Sequence, residues 1–160
     1  MRWFQWGCYC PVMRIHGDRQ PAQPVYRRDG TRVLNSGSDN EVWSYGEEAY
    51  PILVRYMHRR EELRDYVRSL MREAHESGTP LLRAMFYEFP SDENCADLKD
   101  QYMFGPDYLV APVMEMGARS RSVYLPAGRW TDTDTGEVYT GGQRITVDAP
   151  LERIPVFLRG

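Results

Sequence analysis

The sequence changes character near Gly105, and this change restricts the possible folds more than any other feature. Before it lie a long amphipathic stretch and two mostly apolar runs. After it come six short β-like runs at close spacing. A helical periodicity followed by many short strands indicates two differently built regions. We place the boundary near Pro106, which predicts one region over 1–106 and a second over 107–160.

The second region has the pattern of an antiparallel β-sandwich. Its predicted strands are 108–113, 122–125, 129–132, 137–139, 143–147 and 155–158. Turn-forming sequences separate several of them: Pro126-Ala127-Gly128, Asp134-Thr135-Gly136 and Gly141-Gly142. Closely spaced short strands with such turns are typical of a sandwich. Trp130 falls inside this pattern, so we expect it in the core.

The first region has an α/β pattern. Residues 1–10 are expected to be the end of a helix. Pro11 should stop it, because the residue before a proline is disfavoured in the α conformation. Residues 47–76 carry apolar side chains three and four apart, which predicts a helix. Pro51 suits its first turn and Gly78 its end. The charged opposite face is either a docking surface or, as we predict, a solvated face.

Two apolar runs flank the predicted helix. Residues 12–15 and 81–89 are mostly apolar and do not alternate between apolar and polar, which predicts two buried strands, the first of which ends at His16. A helix between buried strands indicates a parallel sheet. The polar, Gly- and Pro-containing stretch 18–43 is expected to be a long loop, and such loops are often functional.

Composition limits the classes of partner. A net charge of −3 and a pI near 5.6 argue against a general nucleic-acid binder. No stretch approaches the roughly 18 apolar residues of a membrane helix. Three cysteines leave at least one thiol unpaired and show no zinc-like spacing, so we expect no metal site and a reducing, cytoplasmic location. No cofactor is indicated.

The opening motif resembles a known enzyme family. Arg2-Trp3-Phe4-Gln5-Trp6-Gly7 is followed by Pro11-Val12-Met13-Arg14-Ile15-His16-Gly17. This run resembles the end of the catalytic barrel of glycoside hydrolase family 31, which includes α-glucosidases and α-xylosidases. Further segments resemble the same family in the same order: Asn40-Glu41-Val42-Trp43 (with Val42 where the family usually has proline), 78–83, 88–90, 101–113, 123–126, 128–130 and 149–157.

The resemblance implies a fold and an activity. The fold would be the last part of a (β/α)₈ TIM barrel followed by an antiparallel β-sandwich, an α/β region and then an all-β region. The parent protein would be a retaining α-glycoside hydrolase acting on an α-linked glucoside, xyloside or oligosaccharide. Both catalytic aspartates of the family precede the opening motif. The chain is therefore expected to be inactive alone and to have as its partner the missing N-terminal part of the enzyme.

The resemblance also assigns site residues. His16 matches the family histidine that hydrogen-bonds the sugar, whereas from the residue alone a structural role beside a tight turn is the more common one. Asp18 is a candidate substrate contact, and Trp43 is a candidate for stacking on a sugar ring. The spacing of the nearby acids Asp18, Asp29, Asp39 and Glu41 singles out no catalytic pair. The alternative function is a non-catalytic carbohydrate-binding or structural β-sandwich module.

Overall fold

The computed structural model describes residues 1–16, 25–33 and 40–160, and the elements named below belong to those ranges. The α-helices are α1 (Arg2–Cys8), α2 (Ala49–Glu62), α3 (Arg64–Ser77) and α4 (Met85–Glu88). Two short 3₁₀ helices span Val42–Tyr45 and Glu93–Cys95. The strands are β1 (Val25–Tyr26), β2 (Arg32–Val33), β3 (Leu82–Ala84), β4 (Tyr102–Phe104), β5 (Tyr108–Val110), β6 (Ser120–Leu125), β7 (Arg129–Asp132), β8 (Val138–Thr140), β9 (Gln143–Asp148) and β10 (Val156–Arg159).

Most of the strands form one sheet of six. Its strand order is β3-β4-β5-β10-β7-β8, and β6 pairs with β9 in a separate two-stranded sheet. The small hairpin β1–β2 stands apart from both. Every strand pair among the described residues is antiparallel. The prediction of antiparallel strands after Gly105 is therefore confirmed, and each of the six predicted runs overlaps one strand.

The six-stranded sheet has a core on each of its two faces. Neighbouring residues contribute to different cores, because side chains alternate between the two sides of a strand. Met103, Leu109 and Phe157 are fully buried and belong to the core shared with β6 and β9. Their neighbours Phe104, Val110 and Val156 belong instead to the core shared with the helices. The molecule thus has three layers: helices, the six-stranded sheet and the two-stranded sheet.

Trp130 lies in the core between the two sheets. It is fully buried, and its indole N–H donates to the carbonyl of Pro126 at 2.7 Å. The hydrogen bond satisfies the one polar group of the ring, which is what allows a tryptophan to be buried completely. The prediction that Trp130 is a core residue is confirmed.

The helix predicted over 47–76 is two helices that meet at Leu63. At Leu63 the backbone has φ −80° and ψ −1°, which departs from helical values. The ladder nevertheless continues through it, since Leu63 N–H donates to Arg59 O and Val67 N–H to Leu63 O. The break follows no Gly or Pro, so the sequence pattern did not reveal it. The predicted stop is confirmed: Gly78 is left-handed with φ 75°.

The predicted strand over 12–15 is wrong. These residues form no strand, and Val12 is 75% exposed. A strand needs a neighbour for its N–H and C=O groups, and in the described part of the chain none runs beside it. Apolar composition indicates a preference for burial but does not supply the strand that would cover it.

The predicted strand over 81–89 is wrong in length, and the described residues do not form the parallel sheet expected from it. Only Leu82–Ala84 is extended, and α4 follows at once. Phe86 and Tyr87 on α4 are about half exposed. A short apolar run does not distinguish a strand from a helix, and β3 pairs antiparallel with β4.

The charged face of α2 and α3 is largely solvated, with near-neighbour ion pairs such as Arg59–Glu62 at 3.1 Å and Arg68–Asp65 at 3.7 Å. Arg55 departs from this interpretation, since it forms a 2.8 Å ion pair with Asp134 after β7. Strands on both sides of Pro106 share the six-stranded sheet. The division into 1–106 and 107–160 stays a prediction.

Candidate functional site

His16 lies at the edge of a cleft formed by the first residues of the chain and the segment that leads into α2. Its side chain is exposed, and its carbonyl accepts a 2.6 Å hydrogen bond from the Asn40 amide. The cleft encloses about 320 Å³. Its lining combines polar and aromatic side chains above an apolar floor: Met1, Trp3, Phe4, Arg14, Ile15, His16, Asn40, Tyr45, Ala49 and Leu53.

The segment from Asn40 to Tyr45 is held by its own hydrogen bonds. The Tyr45 hydroxyl donates to the Asn40 side-chain oxygen. The Glu41 carboxylate accepts from the Asn40 N–H at 3.1 Å and from the Ser44 hydroxyl at 3.4 Å. These contacts orient the Asn40 amide toward the His16 carbonyl, so this loop fixes the end of the 13–16 segment without a strand.

The floor of the cleft is a small apolar core. Val42, Ala49 and Leu53 are buried together, and Met1 and Phe4 pack against them. Trp3 is 79% exposed and contacts Trp6 edge to face, with 4.9 Å between ring centroids. An exposed aromatic side chain beside amide, imidazole and hydroxyl groups can contact both the apolar face and the hydroxyls of a sugar.

Of the other two predicted site residues, the structure describes only Trp43, and it does not bring Trp43 to this cleft. Trp43 is 68% exposed on its 3₁₀ helix and is not among the side chains that line the cleft. Asp18 lies outside the described residues. Their roles stay predictions. The cleft side chains of Asn40, Tyr45 and Trp3 were not predicted as site residues, although Trp3 and Asn40 belong to the quoted motifs.

The cleft carries no catalytic pair of carboxylates within residues 1–16, 25–33 and 40–160, because none of its lining side chains there is Asp or Glu.

The buried thiols are poor nucleophiles. Burial raises the pKa of Cys8 to about 12 and that of Cys95 to about 11, so both stay protonated near neutral pH. Cys8, Cys10 and Cys95 form no disulfide.

Two further features of the described residues concern ligands and membranes. In those ranges no group of three or more His, Cys, Asp or Glu side chains is arranged to hold a metal ion. The helices found there are too short or too polar to cross a bilayer.

The described residues thus combine helices packed on antiparallel sheets with a cleft lined by polar and aromatic side chains. Comparison with family models gives the particular family. Residues 1–70 match the glycosyl hydrolases family 31 TIM-barrel domain, and residues 78–160 match the glycosyl hydrolase family 31 C-terminal domain. The chain belongs to glycosyl hydrolase family 31, and the resemblance stated from its motifs is confirmed.

Individual relatives agree with this assignment. The chain is 35% identical over 158 residues to alpha-glucosidase 2 of Bacillus thermoamyloliquefaciens, covering 99% of this chain and 18% of that protein. It is 36% identical over 175 residues to alpha-xylosidase A of Aspergillus niger, covering 100% of this chain and 23% of that protein. It thus spans about a fifth of these curated relatives.

A solved structure shows the same fold. The crystal structure of a family 31 α-xylosidase from a soil metagenome, complexed with xylose, is 50% identical with a TM-score of 0.89. The similarity covers 99% of this chain and 24% of that one.

Proposed function

We propose that this chain is part of a retaining α-glycoside hydrolase acting on α-glucosides or α-xylosides, and that it supplies part of the sugar-binding site. The cleft at His16 carries this proposal: it combines imidazole, amide, phenol and indole groups in a chain of family 31. Residues 1–106 would complete the catalytic barrel and 107–160 would form the adjoining sandwich.

The chemistry divides between this chain and the segment that would precede it. In a retaining glycosidase one carboxylate attacks the anomeric carbon, and a second protonates the departing oxygen and then activates water. Both aspartates would lie upstream of Arg2. In this chain His16 would hydrogen-bond sugar hydroxyls, and Asp18 and Trp43 would contribute further contacts. Its role is therefore to orient the sugar toward those carboxylates.

The decisive experiment is a graft. The chain would replace the matching segment of the soil-metagenome α-xylosidase, and turnover of aryl α-xyloside and α-glucoside would be compared with the same enzyme lacking that segment. The graft is expected to restore turnover, whereas the isolated chain is expected to show none. A folded but inactive graft would contradict the proposal. Turnover by the isolated chain that is lost on Asp18→Asn, Asp39→Asn or Glu41→Gln would also contradict it.

His16→Ala in the graft tests the sugar contact. A donor that acts on the transition state contributes about 1.5–4 kcal/mol. We expect kcat/KM to fall roughly 10- to 1,000-fold, since each 1.36 kcal/mol is a factor of ten, while the melting temperature is retained because His16 is exposed. His75→Ala, on the exposed face of α3, is the matched control. A lower melting temperature with unchanged kcat/KM would make His16 a structural residue.

The alternative, a freestanding carbohydrate-binding module, gives a different result: the isolated chain would bind α-glucosides or xylosides without turnover, and the graft would add no activity. The three free thiols support a reducing compartment for the protein. Expression with the native upstream segment, followed by fractionation, tests this location.

A further inference from the structure

Arg2, from the opening motif, contacts the sandwich rather than the cleft. Its guanidinium donates to the carbonyls of Arg153 at 2.6 Å, Ala149 at 2.5 Å and Ala118 at 3.2 Å. Two of these carbonyls belong to the connection between β9 and β10, residues 149–155. One arginine in α1 therefore binds a single sandwich connection through two main-chain oxygens, which a planar fork of N–H donors is suited to do.

Gln5 makes the second contact with the same connection. Its side chain is fully buried, and its amide donates to the Leu151 carbonyl at 2.6 Å. Its side-chain oxygen accepts from Arg2 at 3.4 Å. Residues three apart lie on one face of a helix. Removal of the amide would leave the half-buried Leu151 carbonyl without this donor, and a polar group shielded from water without a partner is costly.

The β9–β10 connection is itself held firmly. The Arg153 side chain forms an ion pair with Asp132, which is 2% exposed, and lies 3.7 Å from Asp134. The Ile154 N–H donates to the Tyr56 hydroxyl at 3.0 Å. The carbonyls that Arg2 and Gln5 bind therefore belong to a segment fixed to both β7 and α2.

The other side of α1 faces the cleft. Met1, Trp3 and Phe4 line it, and Met1 and Phe4 also pack on the Val42, Ala49 and Leu53 core. Neither Arg2 nor Gln5 is among the lining side chains. A helix of seven residues is thus fixed to the sandwich along one face and forms a cleft wall with another.

We propose that Arg2 and Gln5 are positioning residues that fix the wall of the His16 cleft to the β9–β10 connection of the sandwich. This inference rests on the proposed function for its consequence in catalysis, but not for its structural content. It gives the sandwich a part in sugar binding without any sandwich side chain in the cleft. A merely adhesive contact would stabilise the fold and leave the cleft unchanged when weakened.

The test on the chain itself uses its three histidines, His16, His58 and His75. NMR spectra of the imidazole rings would be compared for the native chain, Gln5→Leu, Arg2→Met and Arg2→Lys. We expect Gln5→Leu and Arg2→Met to shift or broaden the His16 signals and to leave His75, on α3, unchanged. Arg2→Lys should change the His16 signals less than Arg2→Met does, because an ammonium group can still donate to carbonyls.

The matched control is Arg83→Met, which removes a buried arginine whose hydrogen-bond partners all lie within residues 73–88, outside α1 and outside the β9–β10 connection. It should leave the His16 signals in place. If folded Gln5→Leu and Arg2→Met leave His16 unmoved, the proposal is overturned. Equal shifts from Arg83→Met would also overturn it, because they would show a general loosening. If Gln5→Leu does not fold, it is replaced by Gln5→Asn, in which the side chain is one methylene shorter and the amide is drawn away from the Leu151 carbonyl.

The same variants in the grafted enzyme give the catalytic measurement. Displacement of a binding wall is expected to lower kcat/KM roughly 10- to 100-fold for Arg2→Met, with a smaller loss for Arg2→Lys. Normal kcat/KM in a variant that shifts His16 would overturn the positioning role. The NMR result involves no sugar and no turnover, so failure of the hydrolase proposal and failure of this one are distinguishable.

Discussion

The region from residue 78 onward and the helices before it obtain their stability in different ways. All eleven buried residues of the core between the two sheets come from residues 85–157. The core beneath the helices is shared: Cys8, Tyr56 and Leu70 meet Phe104 and Val156 from the sheet. The sandwich buries its apolar side chains against one another, whereas the helices bury theirs against the outer face of the sandwich.

Hydrogen bonding shows the same difference. In the sandwich, main-chain groups pair along antiparallel ladders such as β6–β9, which has six residue pairs. In the earlier region the contacts that fix α1 and the end of its loop come from side chains, for example Arg60 to the carbonyls of Cys8 and Cys10. A region held by single side chains is more sensitive to loss of its neighbour than a region held by ladders.

The largest expected effect comes from separating the two regions. A chain of residues 78–160 should unfold cooperatively, because it retains the whole core between the sheets. Residues 1–105 should aggregate or lack a cooperative transition, because Val110 and Val156 would no longer cover the helices. Thermal and urea unfolding of purified fragments measures this.

The comparison becomes sharper with residues 107–160, the unit set by the predicted boundary. This fragment lacks β3, β4 and the buried Gln101, whose side chain hydrogen-bonds both the N–H and the carbonyl of Tyr124. It should be less stable than 78–160. A monomeric 1–105 fragment with a sharp transition would contradict the dependence of the helices on the sheet.

Two tryptophans give the next effect. Trp130→Ala should lower the free energy of unfolding by about 3–5 kcal/mol, because it empties a fully buried site. Trp43→Ala, at a side chain 68% exposed, should change it by less than about 0.5 kcal/mol. Urea denaturation of both variants measures the difference. Similar losses would mean that Trp43 is covered in solution.

Alanine substitutions at two glycines are expected to change stability by smaller amounts, one lowering it and the other raising it. A methyl group at Gly141 would lie 1.8 Å from the Pro126 carbonyl oxygen, so Gly141→Ala should destabilise the sandwich by about 1–3 kcal/mol or more. At Gly7 in α1 the nearest atom is 3.7 Å away, and alanine is the better helix former, so Gly7→Ala should stabilise by up to about 1 kcal/mol. Melting temperatures of the pair give both signs.

The smallest effect is a dependence on pH. A hydrogen bond from the Tyr124 hydroxyl at 2.7 Å holds the pKa of Asp92 below its ordinary value. The folded state therefore gains stability above the pKa of the unfolded chain, about 3.9, and loses it as the pH falls through the lower folded value. Tyr124→Phe should shrink this loss, measured by urea denaturation between about pH 5 and 2.5. Asp92→Asn should not show it, and an unchanged acid profile in both variants would contradict the assignment.

Local sequence was most informative where pairing is between near neighbours. The turn at Pro126-Ala127-Gly128 lies between β6 and β7, and the run predicted at 129–132 matches β7. Strands there find partners within the same region, so turn residues and alternation suffice. The run 12–15 has no such neighbour among the described residues, and its prediction failed for that reason.

The candidate site shows the same limit. His16 was found because a motif contains it, but no local pattern indicated that Asn40 donates to its carbonyl from 24 residues away. Nor did the motif reveal that Arg2 and Gln5 face the sandwich, since the partner carbonyls lie about 150 residues further along. Every residue carries the same main-chain carbonyl. Residue types therefore do not indicate which carbonyl a side chain will bind.

The sequence by itself determined the family, the antiparallel strands of the sandwich, the burial of Trp130 and the end of the helices at Gly78. Each depends on local chemistry: turn residues, alternation, or a backbone conformation that glycine allows. Only the tertiary structure decided that residues 12–15 are not a strand, that the helix breaks at Leu63, and that α1 joins the cleft to the sandwich. These depend on which surfaces meet, and packing of distant segments overrides local preference because most of the stabilising area is buried between them.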